Sequence, residues 1–442
     1  MSGWRKRVAP DHPVPSAGPL PRRASSGRGR PRLEPASAGT ESCGVPKMRA
    51  LTWQGPRDVR VQDVPDPRLE TDTDAIVRIT STAICGSDLH LYEVLAPFLS
   101  PGDVLGHEPM GIVEETGSAV EHIRPGDRVV VPFNIACGDC WMCRRGLHAQ
   151  CETTQNTDQG CGASLFGYTK LYGQVPGGQA EYLRVPQAQF GPIKVPEGPP
   201  DEQFLYLSDV LPTAWQAVEY AAVPEGGSVA VFGLGPIGQM SARIARHRGF
   251  RPIAVDLVDE RLKMAERNGI EVVDARHTDD VPAVLRERTD GRGPDSVIDA
   301  VGMEAHGSPG AEFAQKMASV LPDAVAEPLM TKAGVDRLAV LHQCIDSVRR
   351  AGTISLSGVY GGMADPLPML TMFDKGLRVA MGQAHVRRWI GDLLPLVEDE
   401  SDPLGVRDLA THHLPLEEAP NGYDIFQRKV DGSIKVLLHP QG

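Results

Sequence analysis

Four cysteines crowd into one short stretch of the chain, Cys137, Cys140, Cys143 and Cys151. The pattern Cys-x2-Cys-x2-Cys-x7-Cys offers four soft donors on a loop that carries Gly138 and Gly146 for turning. Four thiolates close a tetrahedral zinc shell and leave no open position, so this spacing predicts a structural metal site. A catalytic zinc differs in needing three protein ligands and one open position. Candidate donors for such a centre lie upstream, in Ile84-Cys85-Gly86-Ser87-Asp88-Leu89-His90 and in Gly106-His107-Glu108. Taken singly, Cys85 reads as a buried thiol and His107 as a satisfied core histidine. Their weight comes from occurring together, ahead of the four-cysteine loop. A disulfide scaffold is the other use of clustered cysteines, but it belongs to small secreted chains.

A second kind of chemistry is written in Gly233-Leu234-Gly235-Pro236-Ile237-Gly238. The run follows the apolar Ser228-Val229-Ala230-Val231-Phe232 and precedes a helical pattern, which is the context a dinucleotide-binding turn requires. The first glycine permits a tight turn, the second lets a pyrophosphate approach the backbone, and the third lets helix and strand pack closely. The helix start then presents free N–H groups to phosphate. The following strand ends at Asp256, placed to hold ribose hydroxyls and to repel a 2′-phosphate, which favours NAD over NADP. Arg261 lies near enough to soften that preference but is expected on the solvent side of its helix. The plainer alternative is an α/β domain binding another nucleotide or none.

These sites need elements to hold them. A chain of 442 residues is long enough for two domains. Residues 1–47 form an Arg-, Pro- and Ser-rich leader without apolar periodicity, expected to be disordered; a basic targeting arm is the alternative. From Met48 the pattern is one of short strands and turns, such as Ala75-Ile76-Val77-Arg78-Ile79 and Arg128-Val129-Val130-Val131, predicting a mostly β domain over residues 48–210. After Leu211 strands and helices alternate. Runs at 252–256, 296–299 and 353–357 continue the series begun at Ser228, so a doubly wound parallel sheet is predicted over residues 211–375. Residues 376–442 return to mixed structure and end on a strand near Ser433–Leu438. A hydrophobic fraction of 41% with 23% charged residues is that of a soluble globular chain. No apolar run approaches the ~18–20 residues a membrane span requires, and the N-terminus lacks a secretory core, which points to the cytoplasm. The net charge of -12 argues against general nucleic-acid binding.

Cys-Gly-Ser-Asp-x-His at 85–90, Gly-His-Glu at 106–108, the four-cysteine loop and Gly-x-Gly-x-x-Gly together resemble the zinc-dependent medium-chain dehydrogenase/reductase family, from Met48 to the C-terminus. Phe133-Asn134-Ile135-Ala136-Cys137-Gly138, Gly177-Gly178-Gln179-Ala180-Glu181-Tyr182 and Leu207-Ser208-Asp209-Val210-Leu211-Pro212-Thr213 look most like the branch containing glutathione-independent formaldehyde dehydrogenase. The resemblance implies an α/β architecture, a GroES-like catalytic domain beside a Rossmann cofactor domain. It implies two zinc ions per chain and NAD, with Asp209 as third catalytic ligand beside Cys85 and His107. Glu108 becomes an outer-sphere group or transient ligand, or else simply the partner of a nearby cation. Ser87 and His90 become a proton relay, and Thr213 and Val359 contacts of the nicotinamide. The implied reaction is hydride transfer from a small alcohol or hydrated aldehyde to NAD, by a homotetramer or homodimer. Two rival readings stand beside it: a general alcohol or polyol dehydrogenase, and a non-catalytic zinc protein that uses the cysteine loop for interactions.

Overall fold

The structure, a computed structural model, describes residues 47–302, 338–360 and 366–441. The predicted leader lies outside the described residues except for Lys47.

The described chain opens with a hairpin that its short runs did not announce, β1 (Lys47–Gly55) and β2 (Asp58–Pro65). The catalytic half is then laid out by β3 (Ala75–Ile84), helix α1 (Gly86–Glu93), β4 (Glu108–Thr116) and β5 (Arg128–Val130). A small pair, β6 (Gln155–Asn156) and β7 (Cys161–Ala163), sits beside the four-cysteine loop, followed by β8 (Tyr182–Val185) and β9 (Ile193–Lys194). A short helix α2 (Glu202–Leu205) leads to the longer α3 (Val210–Ala221).

The alternating half follows: β10 (Ser228–Phe232), α4 (Pro236–His247), β11 (Arg251–Asp256), α5 (Asp259–Arg267), β12 (Glu271–Asp274), α6 (Val281–Glu287) and β13 (Ser296–Asp299). It continues through α7 (Ala339–Ser347), β14 (Thr353–Leu356), α8 (Met369–Lys375) and β15 (Arg378–Met381). Among the described residues these strands form a six-stranded sheet in the order β12-β11-β10-β13-β14-β15, every pair parallel. The sheet thus takes in β15, a few residues past the 375 expected as its end. Its central strands β13 and β14 are buried along their whole length because helices cover both faces.

After α9 (Val386–Glu398) the chain turns back. Strand β16 (His412–Pro415), α10 (Ala419–Arg428) and β17 (Val436–His439) return to the first half. There β17 pairs antiparallel with β3, so the catalytic sheet runs β16-β17-β3-β4-β5-β9, with β8 also on β3. The fold class read from the sequence, a mostly β GroES-like part with a Rossmann sheet, is the one observed.

Candidate active site

Strand register brings the first two ligands together. Ala83 of β3 faces Glu108 of β4, so the residues just beyond each pairing, Cys85 and His107, emerge at one end of the sheet. Cys85 is also the residue that starts α1. The Asp88 carboxylate reaches back to accept the Cys85 backbone N–H at 3.0 Å, satisfying a group that a helix start leaves unpaired. Its other oxygen lies 3.0 Å from Nδ1 of His107. One buried carboxylate therefore fixes both the helix that carries Cys85 and the ring of His107, and turns Nε2 of that ring inward.

Asp209 arrives from the opposite side. It occupies the break between the turn Tyr206–Ser208 and α3, with φ −152° and ψ −65°. The Ser208 carbonyl accepts from the Phe133 backbone N–H at 3.1 Å, which ties this turn to the end of the β5 strand. Asp209 Oδ2 then lies 3.5 Å from Cys85 Sγ and 3.6 Å from His107 Nε2. Cys85, His107, Glu108 and Asp209 are all buried, each with one donor atom within 4.8 Å of the others.

Burial, with the charges of Glu108 and Asp209, pushes the Cys85 thiol up to about 11. Burial would lower His107, but Asp88, Cys85 and Asp209 together outweigh it and hold the ring well above the usual histidine range. Such a pocket is short of positive charge. A divalent cation would let Cys85 ionise and would balance thiolate and carboxylate together, and the S, N and O donors fit a zinc centre with a position left open.

Glu108 pairs with a cation, as one expected alternative had it, and lies beside the ligands. Its carboxylate belongs to the ligand cluster, and it also accepts from Lys435 Nζ at 2.6 Å, both side chains being fully buried. Lys435 donates to the Ile84 carbonyl as well, at 3.0 Å. Burial opposes its charge, yet Glu108, with Cys85 and Asp209, outweighs it and raises its pKa. Nothing in the sequence singled out Lys435, since its partner is over three hundred residues away. Asp88 stood in the quoted motif without a role; an acidic residue three places into a helix was the available signal.

The residues expected as relay and nicotinamide contacts all line the cavity that holds the ligands. Ser87 Oγ lies 3.1 Å from Nε2 of His107, beside the ligand cluster. Thr213 gives its hydroxyl proton to Asp209 Oδ1 at 2.5 Å, which orients that carboxylate, and it lines the same cavity. His90 is buried on α1, and Val359 is nearly half exposed; both line the same cavity as the ligands.

That cavity has a volume of about 1030 Å³ and extends from Cys85, His107 and Asp209 to Gly233, Gly235 and Asp256. In the glycine turn each residue type has a visible cause. Gly233 has φ +85°, and a Cβ at Gly238 would stand 1.7 Å from the Gly233 carbonyl oxygen. At Gly235 a Cβ would meet only Arg261 Nη1, at 3.9 Å, so here the backbone faces open space that a ligand can enter. Pro236 starts α4 and Ile237 follows it, both at the cavity wall. The Asp256 carboxylate accepts from the backbone N–H groups of Leu234, Leu257 and Val258. Arg261, expected to face solvent, is buried and lies 3.9 Å from Asp256, because its position on α5 points toward the sheet. These features fit a dinucleotide.

The four cysteines likewise converge. Cys140 Sγ and Cys151 Sγ are 3.9 Å apart and all four thiols are free. Two sulfurs at ~2.3 Å from a tetrahedral zinc stand roughly 3.8 Å apart, so the loop fits the ion. Backbone N–H groups of Cys143 and Glu152 point at Cys140 Sγ and, against its burial, hold that thiol below its usual range.

With this geometry in place the comparisons are decisive. The model of the alcohol dehydrogenase GroES-like domain matches residues 71–197, and that of the zinc-binding dehydrogenase matches residues 236–320. A zinc-type alcohol dehydrogenase-like protein of Bacillus subtilis, AdhB, itself uncharacterized, is 42% identical over 397 residues, covering 89% of this chain and 100% of that protein. The chain belongs to the zinc-type alcohol dehydrogenase family. Another relative, the formaldehyde dismutase of Pseudomonas putida, is 33% identical over 89% of this chain and 98% of its own. Among solved structures, the alcohol dehydrogenase TADH from Thermus sp. ATN1 matches with a TM-score of 0.72 at 35% identity, over 89% of this chain and 99% of that one. As a zinc-type alcohol dehydrogenase the chain is an oxidoreductase, and the two cysteine-containing clusters described above are places where zinc fits.

Proposed function

We propose that this protein oxidises a small alcohol or hydrated aldehyde by hydride transfer to NAD, using a zinc held by Cys85, His107 and Asp209. The observation that carries the reading is the single cavity lined by those three side chains at one end and by Gly235 and Asp256 at the other. Bound zinc supplies a Lewis acid that lowers the pKa of a hydroxyl, and bound NAD supplies the hydride acceptor. The chain's own residues do the rest. Asp88 and Thr213 hold two of the ligands in orientation. Ser87, next to Nε2 of His107, takes the substrate's hydroxyl proton and hands it to His90 on the same helix. Asp256 receives the adenosine ribose hydroxyls, and the α4 N-terminus receives the pyrophosphate.

A specific observation favours a general alcohol dehydrogenase over an enzyme tuned to formaldehyde. The rings of Phe133 and Tyr168 stand edge-on to His107, each with centroids 6.3 Å away, and Leu89, Leu165 and Leu171 continue the wall. Such walls reward an apolar substituent that formaldehyde hydrate lacks. The reduced thiols of both clusters suit a reducing compartment such as the cytoplasm. The edge strand β15 exposes Val379 and Met381, and α8 beside it exposes Met369, Leu370 and Phe373, which suits a homodimer or homotetramer.

The test is reduction of NAD and NADP by the purified chain over a panel of straight-chain alcohols, polyols and formaldehyde, with zinc counted alongside. Two zinc ions per chain held by the cysteine-containing clusters, one of them lost in Cys85→Ser, and turnover on apolar primary alcohols with NAD support the reading. No zinc lost in Cys85→Ser and no turnover on any substrate would establish the non-catalytic alternative.

A further inference from the structure

A third set of ligating atoms meets at the β16–β17 edge of the catalytic sheet. Glu202 is the first residue of α2, His413 lies on β16 and His439 ends β17. One donor atom of each lies within 4.8 Å of the other two. Nδ1 of His413 is 3.3 Å from Nε2 of His439 and 3.5 Å from Oε1 of Glu202. Two nitrogens at ~2.0–2.1 Å from a tetrahedral zinc stand roughly 3.3–3.4 Å apart, so these spacings are already those of a metal shell.

The protonation pattern points the same way. Ser81 Oγ donates to the Asp201 carboxylate at 2.8 Å, and a carboxylate paired with Arg128 has no proton to return. Ser81 must therefore accept from Nδ1–H of His439, 3.3 Å away. That leaves the lone pair on Nε2 of His439 turned toward His413. A histidine whose other nitrogen is held by an outer partner is the form in which the ring binds metals. His413 is exposed and the other two are partly so, leaving room for solvent to complete the shell.

We propose that Glu202, His413 and His439 bind a divalent transition metal, zinc by their donor types, as a clamp between the C-terminal strand pair and α2. The two segments it joins both continue into the active site. α2 runs on toward Asp209, and the strand that ends at His439 follows Lys435. The clamp stands apart from the catalytic reading, since it shares no ligand with either cysteine-containing cluster.

The experiment is equilibrium dialysis of the full chain against micromolar zinc, with metal counted per chain for wild type and for His413→Ala/His439→Ala. Sites common to both proteins cancel, so the difference reads this cluster alone. Wild type should hold one more zinc per chain, and added zinc should raise its melting midpoint but not that of the variant. Ser81→Ala should weaken the extra zinc by roughly 10–100-fold through loss of the outer partner. Should the double variant fold poorly, Glu202→Gln removes one ligand from a partly exposed position, and zinc titration should show at least ~10-fold weaker binding. Equal zinc in wild type and variants would overturn the proposal and leave a hydrogen-bonded His–His–Glu cluster, without touching the proposed activity.

Discussion

Cys85 and Asp88 are three residues apart, yet their roles are joined by one hydrogen bond and one buried contact with His107. A Cys85→Ser substitution keeps the helix start and removes the softest donor. It should lower zinc content by one ion per chain and abolish nearly all turnover while NAD binding persists, measured by metal analysis, steady-state rates and nicotinamide fluorescence. Unchanged turnover would refute the ligand assignment. The Glu108–Lys435 pair makes a sharper claim about energy. Lys435→Met strands a buried carboxylate and should cost about 3–5 kcal/mol in urea unfolding. Glu108→Leu added to it should recover most of that loss, because two apolar groups replace two charges. Residues near each other in sequence were legible here: Cys85, His107 and the four cysteines declare themselves by type and spacing. Lys435 did not, since a lone lysine in a terminal strand carries no pattern until the strand pairing is known.

At the scale of elements, the glycine turn between β10 and α4 separates two functions that sequence alone merges. A Cβ at Gly238 runs into the Gly233 carbonyl, whereas one at Gly235 enters open space. Gly238→Ala should therefore unfold or strongly destabilise the protein. Gly235→Ala should hold its unfolding free energy within about 1 kcal/mol while weakening NAD at least ~10-fold, read by NAD titration and urea denaturation. A second element-level claim concerns pH. His385, just before α9, accepts the Ala149 backbone N–H at Nδ1, and burial together with Arg388 pushes its pKa down to about 4. The folded protein refuses a proton that the unfolded chain takes up near pH 6.5. Its contribution is thus complete above ~6.5 and lost progressively toward pH 4. In His385→Gln the stability–pH slope over that window should be shallower by up to about one proton. The strands at 228–232, 296–299 and 353–356 were legible because each carries a β-branched apolar centre (Val229-Ala230-Val231, Val297-Ile298, Ile354) in a regular alternation with helical stretches. The hairpin β1–β2 was hidden, since the outward face of β2 is polar and mostly exposed. The inward face of Arg261 was hidden for a related reason: an arginine beside an aspartate on a cavity wall reads, in sequence, like any solvated charge.

For the whole molecule, the apolar edge formed by β15 and α8 is a claim about assembly. Among the described residues β15 pairs only with β14, so its outer edge offers unpaired backbone groups beside exposed Val379 and Met381. Val379→Asp with Met381→Asp should shift the protein to monomer in analytical ultracentrifugation while zinc content stays constant. An unchanged sedimentation coefficient would place the interface elsewhere.

The return of β17 onto β3 has a consequence for biosynthesis. The alternating sheet is built from one uninterrupted stretch of chain, so it can close while translation is still under way. The catalytic sheet cannot, because Val436 must find Ile84 across more than three hundred and fifty residues. A nascent chain would thus carry a finished Rossmann half long before its metal pocket has a counter-ion for Glu108. The stretch made later is thus the one that neutralises the interior of the stretch made earlier.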